Sequence, residues 1–228
     1  MRWINKDTEI YCSFALTAGN TGCQVMNSAF YYHGLNKIYK SFSVSNIEDA
    51  VNAVKHLGIK GFAITMPYKR DVIEFVDCLD DSAEEVGAAN TVINSNGILK
   101  AYNTDYLAAR KFLSTKHNFK NAHKGRQYFE WVDKCYILGD GGYAAAVKTA
   151  MISLDIKPNI ITRKNWDTIK DIKDGFIYNC TPTRDWPRDK SNTIIDCQTD
   201  TETGKELAIL QASYQFKLYT GLDFPINY

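Results

Sequence analysis

Short apolar runs alternate along this chain with stretches in which apolar residues recur every three or four positions. Ile10 to Leu16, Lys37 to Val44 and Gly61 to Thr65 have strand length and strand composition. Between them, Gln24 to His33 and Ile47 to Leu57 carry helical spacing, with Gly34 and Gly58 placed to close each helix. Ser45, followed three residues on by Glu48, reads as an N-cap with a capping box. Arg70 to Cys78 is expected to be helical. Asn90 to Ile93 and Ile98 to Tyr102 are strand-like and are joined by Asn94-Ser95-Asn96-Gly97, a hairpin signal. A helix is expected to begin at Thr104 or Asp105.

The pattern changes after Leu113. Thr115 to Arg126 contains Lys116, Lys120, Lys124 and Arg126 and no acid, which fits a solvated linker or surface loop, with anion binding as the alternative. A second series then starts. Cys135 to Leu138, Asn159 to Thr162, Phe176 to Tyr178 and Ile194-Ile195 read as strands. Tyr143 to Leu154 and Lys205 to Tyr219 read as helices. Strands alternating with helices predict an α/β fold with largely parallel strands.

Composition narrows the functional classes. Among 228 residues, 27 Lys and Arg balance 26 Asp and Glu, so there is no electrostatic case for nucleic acid or an anionic membrane as partner. No apolar run approaches membrane-spanning length, and the first seven residues, Met1 to Asp7, lack an apolar signal core. The cysteines at 12, 23, 78, 135, 180 and 197 show no Cys-x-x-Cys spacing and no zinc-site pairing with histidine. The expectation is a cytoplasmic protein with reduced thiols and no metal.

Gly139-Asp140-Gly141-Gly142-Tyr143-Ala144 follows a strand and opens a helix, which fits the alanine-ended dinucleotide fingerprint G-x-G-x-x-A. Gly139 permits the tight turn, and Gly141 lets backbone approach a pyrophosphate. Gly142 continues the loop into the helix, whose N–H groups and positive end hold the anion. An NAD site usually carries an acid at the end of the next strand. Here Thr162-Arg163-Lys164 stands there, and two cations suit a 2′-phosphate, so NADP is expected rather than NAD. Asp140 is an opposing feature, because a carboxylate inside a phosphate-binding loop repels the ligand unless it points away.

Thr65-Met66-Pro67-Tyr68-Lys69, Gly87-Ala88-Ala89-Asn90-Thr91 and Asn103-Thr104-Asp105 supply a lysine, a carboxylate and several neutral hydrogen-bonding groups. Oxidising a secondary alcohol needs an acceptor for the hydroxyl proton beside the hydride acceptor. Lys69, just after Pro67 at an expected helix start, is the candidate base. Asp105, also at an expected helix start, is the candidate partner that orients it and shares its proton.

These three segments, with Gly139 to Gly142 and Asn179-Cys180-Thr181-Pro182 in the same order, resemble the shikimate dehydrogenase family. Gln211-Ala212 is a weaker sixth match. The resemblance implies an N-terminal α/β substrate-binding domain, residues 1–106, on which a C-terminal helix, 205–222, packs back. It implies a Rossmann-type NADP-binding domain over residues 107–204. Lys69 and Asp105 would be the catalytic pair, and Thr65, Asn90 and Gln211 would contact the substrate's hydroxyls or ring. Thr162, Arg163 and Lys164 would face the NADP 2′-phosphate, and Thr181 would lie beside the cofactor.

The departures are specific. Where the family has Ser-x-Ser-Pro before His-Asn to hold the substrate carboxylate, this chain reads Asn20-Thr21-Gly22-Cys23 followed by Met26-Asn27. Asn20 and Thr21 can still donate hydrogen bonds, but Gly22 has no side chain. The stretch from Asp196 to Gly204 is shorter than the family pattern, with Thr199 near the place of a tyrosine, and Glu206-Leu207 stands where Gly-Met would flank the nicotinamide. The expected function is NADP-dependent oxidation and reduction of a cyclic hydroxy acid by a monomer or homodimer. The alternative is a non-catalytic ligand- or NADP-binding module of the same fold. A folate-linked dehydrogenase of similar build does not predict the Asn103-Thr104-Asp105 segment.

Overall fold

The computed structural model describes residues 4–115 and 134–225, so the basic run containing Lys116, Lys120, Lys124 and Arg126 lies outside the described residues. The chain divides into two compact units. One runs to Thr104 and takes up the chain again from Ala212; the other is Asp105–Gln211.

The first unit is built on β1 (Glu9–Ala15), β2 (Lys37–Ser43), β3 (Gly61–Ile64), β4 (Cys78–Leu79), β5 (Thr91–Ser95) and β6 (Ile98–Tyr102), in the sheet order β2-β1-β3-β5-β6-β4. The β2, β1 and β3 strands run parallel, whereas β5 is antiparallel to both β3 and β6. Helices α1 (Thr21–Tyr32) and α2 (Ile47–Leu57) connect the parallel strands. Alternation along β1 fills both faces, because successive side chains leave a strand in opposite directions. Cys12 and Phe14 enter a core with Val51, Val54, Phe62 and Ile64. Tyr11 enters the other, with Met26, Phe30, Phe216 and Tyr219. The last two residues belong to the long terminal helix and close this face of the unit.

The hairpin forms as expected. Asn96 (φ 54°) and Gly97 (φ 94°) both take positive φ, the two-residue turn whose twist matches that of its strands. The cap of α2 differs from the expectation. Asn46, not Ser45, is the N-cap, and its side chain accepts from the Glu48 and Asp49 N–H groups. Asn46→Ala should therefore cost about 1 kcal/mol in chemical denaturation, with Ser45→Ala near neutral; the reverse order would discard this assignment. Nor is Arg70 to Cys78 an α-helix. A 3-10 turn, Asp71–Phe75, is followed by extended Val76 and by β4, which pairs with β6. Three β-branched residues in five (Val72, Ile73, Val76) and the pull of the sheet edge outweigh helical spacing. The short helix α3 (Asp81–Val86), capped by Asp80, was not foreseen.

The second unit holds β7 (Cys135–Leu138), β8 (Asn159–Ile161), β9 (Phe176–Asn179) and β10 (Thr193–Asp196), all parallel, in the order β10-β9-β7-β8. Among its described residues lie α4 (Thr104–Ser114), all but its first residue, and α5 (Gly142–Ile152). The terminal helix α6 (Glu202–Thr220) supplies its first half here and its second half to the other unit. Leu138, Ile161, Ile169, Ile172, Ile177 and Trp186 form a buried cluster. From β7 the chain goes to β8 on one side and then returns to β9 on the other. The carboxyl ends of β7 and β9 thus flank a switch point, the usual ligand position in an open parallel sheet.

Candidate active site

In the first unit the chain leaves β3 through Thr65-Met66-Pro67-Tyr68-Lys69, with a cis Met66–Pro67 bond. Backbone bonds hold this loop against its neighbours. Thr65 N donates to Phe14 O (3.0 Å), and Leu16 N donates to Met66 O (3.2 Å). Tyr68 is buried, and its hydroxyl donates to Val44 O at 2.7 Å. Thr65 is exposed and Lys69 is half-buried. The Lys69 carbonyl accepts from Ala89 N at 2.7 Å, so the Gly87 to Thr91 segment sets the lysine's backbone. The expected helix dipole beside Lys69 is reduced to that of a five-residue 3-10 turn carrying Asp71 and Glu74.

Asn90 is 4% exposed and ties the segments together. Its Oδ1 accepts from Thr104 N (2.8 Å) and Thr91 Oγ1 (3.0 Å), and its Nδ2 donates to Thr104 Oγ1 (2.9 Å). Asn103 is fully buried, donating from its side chain to Ala88 O at 2.8 Å and from its backbone to Ser82 Oγ at 3.0 Å. The Asn90 amide therefore fixes the first residue of α4, the residue preceding Asp105. Gln215 Nε2 donates to Thr91 Oγ1 at 2.9 Å, bringing α6 into the same network. In the sequence Gln215 is marked by nothing but its place one turn beyond Gln211. Asn20 and Thr21 are exposed where α1 begins.

In the second unit Asp105 lies in the first turn of α4 and is 6% exposed. Tyr143 and Tyr178 share a hydroxyl–hydroxyl hydrogen bond of 3.0 Å. Burial holds both phenols well above their ordinary pKa. For Tyr143 the neighbouring Tyr178 adds to this and for Tyr178 the neighbouring Cys180 does, and the Asp105 charge contributes last to each. Burial also raises the Cys180 thiol, with Cys197, Asp105 and Asp196 adding to it. These two phenols and the thiol thus stay neutral at physiological pH.

The glycine-rich loop has the conformation its sequence calls for. Gly139 has φ 108°, and a Cβ there would lie 3.0 Å from Thr181 Cγ2, so only glycine fits between the ends of β7 and β9. Gly141 is the N-cap of α5, no atom would crowd a Cβ there, and the first turn, which Gly142 begins, contains no acid. Asp140 is exposed. These features fit a bound pyrophosphate. Thr181 is oriented by Asn179, whose Oδ1 accepts from Thr181 N (3.0 Å) and Thr181 Oγ1 (2.8 Å), while Asn179 Nδ2 donates to Asp196 Oδ1 (3.1 Å). Asn179 was visible in the sequence as part of a motif but had no role there. At the end of β8, Thr162 is half-buried and bonded to Asn165, whereas Arg163 and Lys164 are exposed, with no ion pair to a carboxylate among the described residues.

The shortened connection from β10 to α6 is a self-bonded turn. Thr203 Oγ1 accepts from Asp196 N (3.1 Å) and donates to Asp196 O (3.0 Å), so α6 starts at Glu202, before the expected Lys205. Gln211 lies half-buried near the middle of α6. Among the described residues no group of three metal-ligating side chains occurs, no helix is long and apolar enough to cross a membrane, and none of the six cysteines forms a disulfide.

Residues 21–92 match the family model for the shikimate dehydrogenase substrate binding domain. A shikimate dehydrogenase-like protein of Haemophilus influenzae is 40% identical over 147 residues, covering 64% of this chain and 50% of the relative. A shikimate dehydrogenase (NADP(+)) of Caldanaerobacter subterraneus is 34% identical over 162 residues, covering 68% and 54%. The chain spans about half the length of the curated relatives it matches. Among solved structures, a shikimate 5-dehydrogenase-like protein superposes with a TM-score of 0.77 at 28% identity, over 98% of this chain and 96% of the other.

Proposed function

The chain belongs to the shikimate dehydrogenase family, and from that membership we propose that it is an NADP-dependent oxidoreductase interconverting a secondary alcohol and a ketone on a cyclic hydroxy acid, shikimate or a relative of it. The observation that carries this reading is the loop after β7. A left-handed Gly139 packed on Thr181, an acid-free start to α5 and two exposed cations after β8 together suit a dinucleotide bearing a 2′-phosphate.

Bound NADP would supply the hydride acceptor. The chain's own residues handle the rest. In the oxidising direction the carbinol C–H bond breaks as hydride leaves, the O–H bond breaks as its proton passes to the Lys69 nitrogen, and the C=O bond forms. Asp105 orients the lysine and shares that proton. Thr65 and Gln211 hold hydroxyls or the ring. Asn90 serves in part through α4, whose first N–H it accepts, which makes it a positioning residue as well as a candidate contact. Asn20 and Thr21 face the acid end.

The test is absorbance of NADPH with a panel of shikimate, quinate and aminated analogues. Turnover with NADP should exceed turnover with NAD. Arg163→Ala combined with Lys164→Ala should raise the KM for NADP by about 10- to 100-fold, as expected for losing charge-assisted bonds to a phosphate, with little change for NAD. Activity with NAD alone would overturn the cofactor assignment. A second reading, a binding module without turnover, draws on the altered Asn20 to Cys23 stretch; ligand binding with no absorbance change would favour it.

A further inference from the structure

Arg188, in the chain between β9 and β10, is held from below and used from above. Its guanidinium carbon sits 4.5 Å from the centroid of the Trp186 ring. Trp186 is buried in the cluster with Ile172 and Ile177, so the ring is a fixed floor for the cation. From that position the guanidinium donates to Asp196 Oδ2 at 3.1 Å. Asp196 ends β10 and is 4% exposed, and Arg188 is the one cation that pairs with it among the described residues. A carboxylate so buried needs its counter-charge, which separates this pair from an exposed ion pair of little consequence.

The contact does not end at the carboxylate. Asp196 Oδ1 accepts from Asn179 Nδ2 and from Gln198 N, each at 3.1 Å. An ionised carboxylate only accepts, so it holds the Asn179 amide with the nitrogen toward Asp196 and the oxygen toward Thr181. That oxygen takes Thr181 N (3.0 Å) and Thr181 Oγ1 (2.8 Å). The Thr181 hydroxyl also accepts from Thr183 N at 3.2 Å, and its methyl carbon is the atom nearest to where a Cβ on Gly139 would lie, at 3.0 Å. Trp186, Arg188, Asp196, Asn179, Thr181 and Gly139 all belong to the second unit. A neutral aspartic acid donates as well as accepts. Losing the charge therefore frees the Asn179 amide to turn over, which takes both acceptor bonds from Thr181.

We propose that Arg188 is a positioning residue for the dinucleotide: through Asp196 and Asn179 it holds Thr181 against the Gly139 turn and so shapes the seat of NADP. The proposal rests on the dinucleotide reading above and is independent of turnover. Arg188 acts here without touching the ligand.

Calorimetric titration with NADP tests this, using the wild-type chain, Arg188→Met, Arg188→Lys, Asp196→Asn and the double variant of Arg188→Met with Asp196→Asn. Arg188→Met should weaken NADP by about 10-fold, the size expected of a residue that couples to a site through others. Arg188→Lys, which keeps the charge, should recover most of the affinity. Asp196→Asn should weaken NADP about as much as Arg188→Met, and the double variant should be no weaker than either, because one residue acts through the other. Should Arg188→Met not fold, Arg188→Gln takes its place in each comparison. Wild-type affinity in Arg188→Met overturns the proposal even where its melting temperature falls, since the bridge then only holds the fold. Wild-type affinity in Asp196→Asn overturns it as well, as do additive losses in the double variant, which would make Arg188 a direct contact. No binding of NADP by the wild-type chain removes the cofactor reading and this proposal together; wild-type binding with an unaffected Arg188→Met removes the proposal alone.

Discussion

Lys69→Ala is expected to lower kcat by about 100-fold or more, the usual size of a general acid–base contribution, while leaving NADP affinity and the circular dichroism spectrum unchanged. The fold should tolerate the change because the structural bond at this position is made by the main chain: Ala89 N donates to the Lys69 carbonyl at 2.7 Å. The side chain is half-buried at the surface end of the loop and does not belong to the cluster around Phe62 and Val51. Removing it takes away a proton acceptor rather than core volume. A kcat within tenfold of the wild type would remove Lys69 from the chemistry. Asp105→Asn separates the partner's role, since it keeps the shape and removes the charge; its loss should appear in kcat with a smaller change in KM.

Phe216→Ala should cost about 3–5 kcal/mol, the range for emptying a fully buried aromatic site, and should lower the melting temperature on the order of 10 °C. Phe216 is completely buried, with ring centroids 5.8 Å from Phe30 and 5.6 Å from Phe224, and it stacks on His33 at 5.4 Å. These contacts hold the second half of α6 against α1 in the first unit. Phe216→Leu keeps most of the apolar volume and should cost well under half as much. A loss below 1 kcal/mol for the alanine variant would mean that this cluster does not hold the helix in place.

Local signals carried far in this chain. The hairpin at Asn96-Gly97 and the strand, glycine turn and helix from Cys135 onward each depend on residues close in sequence. Helix caps were less secure, because Ser45 and Asn46 both qualify and only the path of the chain into α2 decides between them. The 70–78 segment failed for a different reason. Its helical spacing was real, but the gain from adding Cys78 and Leu79 to the sheet lies in contacts with Lys100 and Ala101, which no local window contains.

The candidate site divides along the same line. The sequence by itself determined the chemical inventory: Lys69, Asp105, the Gly139 to Gly142 loop and the Arg163-Lys164 pair are residue types set by their own motifs. Only the tertiary structure decided which of the surrounding groups are structural. Asn90 is drawn into capping α4, Asn179 orients Thr181, and Gln215 reaches Thr91 across 124 residues. It also decided that β2 is the outer strand and that Tyr39 fills the space beside Gly22. The physical reason is range. Backbone conformation and helix or turn formation are settled within about five residues, whereas burial, hydrogen-bond partnership and cavity walls depend on segments that meet only when the sheet has closed.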